Sequence, residues 1–119
     1  MSIALKDPRG AIQLLEAAMA RARAGAEWKA FSSLAKPAGV VSTALNEFDA
    51  ALLYYQEAAR HDPDDVSLVL AVADIYRRQG RVADAHAALE DCFQRATRNG
   101  QTEFAEIASQ ALAQLEHGD

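Results

Sequence analysis

A single cysteine, Cys92, among 119 residues excludes a disulfide framework and a thiolate metal cluster within the chain. β-Branched residues are also scarce: Val, Ile and Thr together number 13, against 27 Ala and 12 Leu. That imbalance favours helix over strand, because Ala and unbranched side chains lose little freedom in a helix. No stretch approaches the ~20 apolar residues that a membrane span needs. Met1 to Gly10 carries Lys6, Asp7, Pro8 and Arg9 where a signal peptide would place its apolar core, which points to a cytoplasmic protein. Catalytic groupings are missing as well. His61, His86 and His117 show no HxxxH or HExxH spacing, and Ser32, Ser33, Ser42 and Ser67 have no triad partners. The glycines are scattered instead of forming a phosphate loop. The expectation is a non-enzyme with no cofactor and no metal.

The formal net charge is -5 and is unevenly spread. Residues 1–60 hold seven Lys/Arg against six Asp/Glu, and residues 61–119 hold five against eleven. Such a C-terminal half repels phosphates, so no nucleic-acid partner is expected. It is compatible with a basic or neutral protein partner, although acids that only keep the surface soluble are the plainer reading.

Turn signals divide the chain into six helical segments. Asp7-Pro8 reads as an N-cap followed by proline at the first helical position, and Gly25 as a left-handed terminator. Ala11, Ile12, Leu15, Ala18 and Met19 form the apolar stripe between them. A second segment runs from near Ala26 toward Leu45, with a kink or break expected near Ala35-Lys36 because of Pro37. Asn46 reads as the cap of a third helix ending at Arg60, and His61-Asp62-Pro63-Asp64-Asp65 stops it. The fourth runs from Asp65 to Gln79, the fifth from Val82 to Arg98 and the sixth from Thr102 to Glu116. The last carries Phe104, Ile107, Ala108, Ala111 and Leu115 on one side and acids and glutamines on the other. The whole is read as one domain, 1–119, with divergent helices over 1–45, a core over 46–99 and a capping helix over 100–117.

An internal repeat underlies this series. Phe48, Ala51, Tyr55 and Ala58 correspond to Val82, Ala85, Leu89 and Cys92, each pair 34 residues apart. Val69, Val72, Ala73 and Tyr76 correspond to Phe104, Ile107, Ala108 and Ala111 at an offset of 35. Ala11, Leu15 and Ala18 repeat the triplet Ala51, Tyr55 and Ala58 at an offset of 40. Over residues 46–115 the pattern resembles the tetratricopeptide repeat, a helix-turn-helix unit of 34 residues. Val72-Ala73 stands where that family has Leu-Gly, Tyr76 matches its Tyr, Ala85 is the small packing residue, and Asp62-Pro63 ends a unit. Val69 departs from the family's Trp and Thr97 from its closing Pro. The resemblance implies an all-α fold: a short right-handed α-solenoid of antiparallel helix pairs, stacked so that each covers the apolar side of the next.

The resemblance also implies a function without catalysis, in which first helices of successive units line a groove that holds a peptide. Carried onto the best unit, that face is Ser67, Leu70, Asp74 and Arg77, with Arg78 at its edge. Leu70 is the informative member, an apolar residue on a water-facing row. Asp74 disfavours the carboxylate-terminated tails that some relatives grip with Lys and Asn. A second surface comes from Leu52-Leu53-Tyr54-Tyr55, because a helix cannot turn four bulky side chains to one core. With Leu52 and Tyr55 inward, Leu53 or Tyr54 is covered either by the N-terminal helix or by a second copy of the chain. Cys92, at a small position of the packing stripe, reads as a buried hydrophobe, and Trp28 with Phe31 as packing more than as a ligand pocket.

Overall fold

α1 (Pro8–Ala24) begins at the proline, whose missing N–H is one that a first helical turn leaves unbonded anyway. The capping role expected of Asp7 falls outside residues 8–117, which this computed structural model describes. α2 (Trp28–Ala44), α3 (Phe48–His61), α4 (Val66–Arg78), α5 (Val82–Arg98) and α6 (Thr102–Glu116) follow, with no strand among the described residues. α5 and α6 have the expected limits. Of the kink or break expected near Ala35-Lys36, the break does not occur: α2 runs through Pro37 as one helix. Pro37 and Ser33, whose carbonyl loses its helical partner, are both exposed, so water can replace the absent donor.

Four of the five turns share one geometry. In each, a left-handed residue stands two before the next helix: Ala26 (φ 54°), Asn46 (φ 62°), Gly80 (φ 76°) and Gly100 (φ 72°). The following N–H then reaches back five residues, from Glu27 to Ala22, Glu47 to Ser42, Arg81 to Tyr76 and Gln101 to Ala96, each at 2.8 Å. This is a Schellman closure, which satisfies carbonyls that the helix end leaves open. It corrects two expectations: the left-handed site is Ala26 and not Gly25, and Asn46 turns the chain instead of capping a helix. The fifth turn is different. There Asp65 caps α4, accepting from the Ser67 N–H at 3.2 Å and from the Ser67 hydroxyl.

The chain divides into two compact units between Asp62 and Pro63. In the first, α2 packs against both α1 and α3. Its core is Met19, Phe31, Ala35, Ala38, Ala51, Tyr55 and Ala58. A polar ladder at heptad steps along α1 joins α3: Arg9 to Glu47 at 2.9 Å, Glu16 to the Tyr54 hydroxyl, and Arg23 to both oxygens of Glu57 at 2.8 Å. At one end Trp28 stacks on His61 (centroids 3.5 Å, planes 4° apart) and meets Phe31 edge-on. The Trp28–Phe31 pair is thus packing. On α1 the buried set is Ile12, Met19 and Ala22, while Ala11, Leu15 and Ala18 are only half-buried.

In the second unit α5 packs against both α4 and α6. One cluster gathers Val66, Val69, Cys92, Ala96 and Ala108, and another Ala73, Ala85, Leu89 and Leu115. Burial raises the Cys92 thiol above its ordinary pKa, as suits an inert core residue. Ile107 departs from the sequence reading: it is 48% exposed instead of packed.

Burial follows the 34-residue period. Ser32, Ala35, Ala38 and Gly39 are buried in α2, and their equivalents Val66, Val69, Val72 and Ala73 in α4. Ala51, Tyr55 and Ala58 of α3 correspond in the same way to Ala85, Leu89 and Cys92 of α5. The α2–α3 and α4–α5 hairpins are therefore one repeated design.

Candidate binding site

α4, α5 and α6 enclose a cavity of about 300 Å³. Its lining comes from the ends of the elements that the repeat brings together. α4 supplies Leu70, Ala73, Asp74 and Arg77, α5 supplies Ala85 and Leu89, and α6 supplies Ala111, Gln114 and Leu115. Three alanines leave room, three leucines wall the space, and Asp74, Arg77 and Gln114 bring the polar atoms. The volume lies at the lower end of small-ligand pockets, and an apolar lining with a few polar groups is common among them.

Asp74 is clamped by its own helix. Arg77 Nη2 donates to Oδ1 at 2.7 Å and Arg78 Nε to Oδ2 at 2.8 Å. Partial burial works to raise the carboxyl's pKa, but the two guanidiniums prevail and hold it below the usual carboxylate range. Leu70 is half-buried and touches both apolar clusters of the unit, so it faces the cavity and not open water.

Of the five residues expected to form a groove, Leu70, Asp74 and Arg77 come together at this cavity. Arg78 is one step removed and acts on Asp74, while Ser67 is tied to Asp65 at the helix start. The contributions of α5 and α6 were missed, because Ala85, Leu89, Ala111 and Leu115 carry only the periodic signal of core packing. Gly39 was missed too. Its 34-residue equivalence to Ala73 was available, but Pro37 obscured the register of α2. On the second surface, Leu53 is 66% exposed, whereas Tyr54 meets Glu16 of α1. Burial and that contact push the Tyr54 phenol above its ordinary range.

No helix among the described residues is long and apolar enough to cross a membrane. No group of three or more His, Cys, Asp or Glu among them is arranged to hold a metal ion.

No curated protein matches the sequence. Among solved structures, PcrH in complex with the chaperone binding region of PopD is similar at a TM-score of 0.66 and 15% identity, over 92% of this chain and 93% of that one. A type III secretion complex from Aeromonas hydrophila is similar at 0.65 and 15% identity, over 98% and 89%. The Yersinia enterocolitica type III secretion translocator chaperone SycD is similar at 0.63 and 16% identity, over 95% and 97%. At these identities the likeness shows the fold, an all-α helical repeat. The tetratricopeptide repeat pattern itself matches residues 43–115, more than half of the sequence. This chain belongs to the tetratricopeptide repeat family.

Proposed function

We propose that the chain is a non-catalytic, cytoplasmic binding module that holds a segment of another protein in the cavity between α4, α5 and α6. The cavity itself carries the reading: about 300 Å³ lined by leucines and alanines, with Asp74, Arg77 and Gln114 as its polar groups. Leu70 is only half-buried beside Leu89 and Leu115, which are 5% and 8% exposed, and leaving it at a solvent-accessible space is unfavourable unless a partner covers it. The likeness to PcrH, bound to the chaperone binding region of PopD, and to the translocator chaperone SycD supports an adaptor or chaperone-like use.

Peptide-display selection on the purified protein tests this. Selected peptides should bind the native chain and lose binding to Leu70→Asp, while helicity by circular dichroism stays unchanged. Peptides that bind Leu70→Asp equally well would place recognition elsewhere.

A second reading, self-association, rests on Leu53 and Leu14, which are 66% and 76% exposed. Tyr54, engaged with Glu16, contributes less to it. Light scattering of the native chain and of Leu53→Lys separates the two readings. A dimer that Leu53→Lys dissolves would favour a structural subunit.

A further inference from the structure

The polar inventory of the cavity is unbalanced. Asp74 is its one lining acid, and both of its oxygens are taken by Arg77 and Arg78. Arg77 is its one lining cation and spends a single N–H on that contact. A guanidinium has several more donors, and those of Arg77 meet no acceptor among the described residues. Gln114 makes no side-chain hydrogen bond among them either. The lining therefore offers donors in excess of acceptors: its one negative charge is matched by Arg77 and held from outside the lining by Arg78. The lowered pKa of Asp74, which burial alone would raise, has the same origin. Residues 61–119 hold five basic side chains against eleven acidic ones, whereas the cavity lining holds one of each, so it is less acidic than the surrounding sequence.

We propose that this cavity selects a protein segment presenting one large apolar side chain with an Asp or Glu side chain close beside it. The apolar group would sit among Leu70, Leu89 and Leu115, and the carboxylate on Arg77 and Gln114. This rests on the reading of the cavity as a protein-binding site. A space of about 300 Å³ suits one large side chain and not a run of them. A terminal carboxylate fits less well. It is fixed to its own Cα and enters beside Asp74, whereas a side chain reaches the outer edge of Arg77, which is 58% exposed.

Short acetylated and amidated peptides, read by fluorescence anisotropy, test the proposal. Each carries one Phe and, a helical turn away, Glu, Gln or Lys; a further peptide carries Gln and a free terminal carboxylate. The Glu peptide should bind about three- to fivefold tighter than the Gln peptide, as an exposed ion pair allows, with Lys weakest. Arg77→Glu should reverse the order of the Glu and Lys peptides, and raised salt should narrow it. Equal binding of all three, with Leu70→Asp weakening each, overturns the acid preference and leaves the binding site standing. Tighter binding of the free-carboxylate peptide overturns the assignment to a side chain. Absence of binding, or binding indifferent to both Leu70→Asp and the cavity-filling Ala111→Leu, overturns the site and this inference together. Ala111→Leu keeps the test decisive should Leu70→Asp lose helicity.

Discussion

In the α2–α3 hairpin a glycine lies under an aromatic ring; in the α4–α5 hairpin an alanine and a leucine hold the same two positions. A Cβ on Gly39 would stand 2.2 Å from Cζ of Tyr55, so the ring occupies the space that a side chain would need. The Tyr55 hydroxyl reaches past it to the Lys36 carbonyl at 3.3 Å. Ala73 and Leu89 pack into one cluster, but both also border the cavity. One frame thus serves two ends. Where the large side chain is an aromatic seated on glycine, the crossing is filled; where volume is shared between alanine and leucine, space remains that other groups can enter.

The sharpest way to break this comparison is Gly39→Ala. Overpacking a close crossing costs about 1–3 kcal/mol, and alanine's better helix propensity returns at most about 1 kcal/mol. At 2.2 Å the clash belongs at the upper end of that range, so a net loss of about 2 kcal/mol is expected. In a Tyr55→Leu background, which recreates the pair of the other hairpin, the sign should reverse and Gly39→Ala should stabilise. Urea melts of the four proteins form the cycle; equal effects in both backgrounds would dissolve the equivalence. The converse exchange, Ala73→Gly with Leu89→Tyr, should fill part of the cavity. It should cost about 1 kcal/mol for the helical glycine and abolish binding of the Phe–Glu peptide.

How much of this was legible depended on where the deciding physics lay. α5 and α6 could be bounded from the sequence because Gly80 and Asn99-Gly100 mark left-handed turns openly. Gly25 misled, since the site that needs positive φ lies one residue on, at Ala26, where the sequence shows no permissive residue. Pro37 misled differently: its cost depends on whether the orphaned carbonyl faces water, and that follows from packing. Leu70, Asp74 and Arg77 could be placed on one row from helical spacing and the family resemblance. The cavity could not. An alanine that closes a crossing and an alanine that lines a space give the same periodic signal, and only the arrangement of three helices separates them.

The turns supply a smaller contrast between the same units. The first uses Ala26 and Asn46 at its left-handed sites, the second Gly80 and Gly100. Alanine in that conformation costs about 1 kcal/mol, and asparagine less. Ala26→Gly should therefore stabilise the protein by up to about 0.5 kcal/mol, after the entropy that glycine adds to the unfolded chain. Gly80→Ala, with nothing within 4 Å to obstruct the new methyl, should destabilise by about 1 kcal/mol through backbone strain alone. Thermal melts of the two variants should move in opposite directions. Movement in the same direction would mean that the four turns are not energetically alike.

The smallest expected difference concerns acid. Each unit has a carboxyl held below its ordinary range. Glu57 is held by the paired hydrogen bonds of Arg23, against burial, and Asp74 by Arg78 and Arg77, also against burial. A depressed folded-state pKa contributes stability that is present above the unfolded value, about 4, and is lost as pH falls through the folded one. The Glu57 side chain is 22% exposed and that of Asp74 42%, so solvent screens the second more. Glu57 also ties α3 to α1, whereas Asp74 bonds only within α4. A bond within one helix survives in part wherever that helix persists in the unfolded ensemble, which shrinks the difference between the two states. Glu57→Gln should therefore flatten the fall in urea midpoint below about pH 4 more than Asp74→Asn does. The reverse order would mean that the doubled guanidinium on Asp74 outweighs both exposure and the single-helix reach of its contacts.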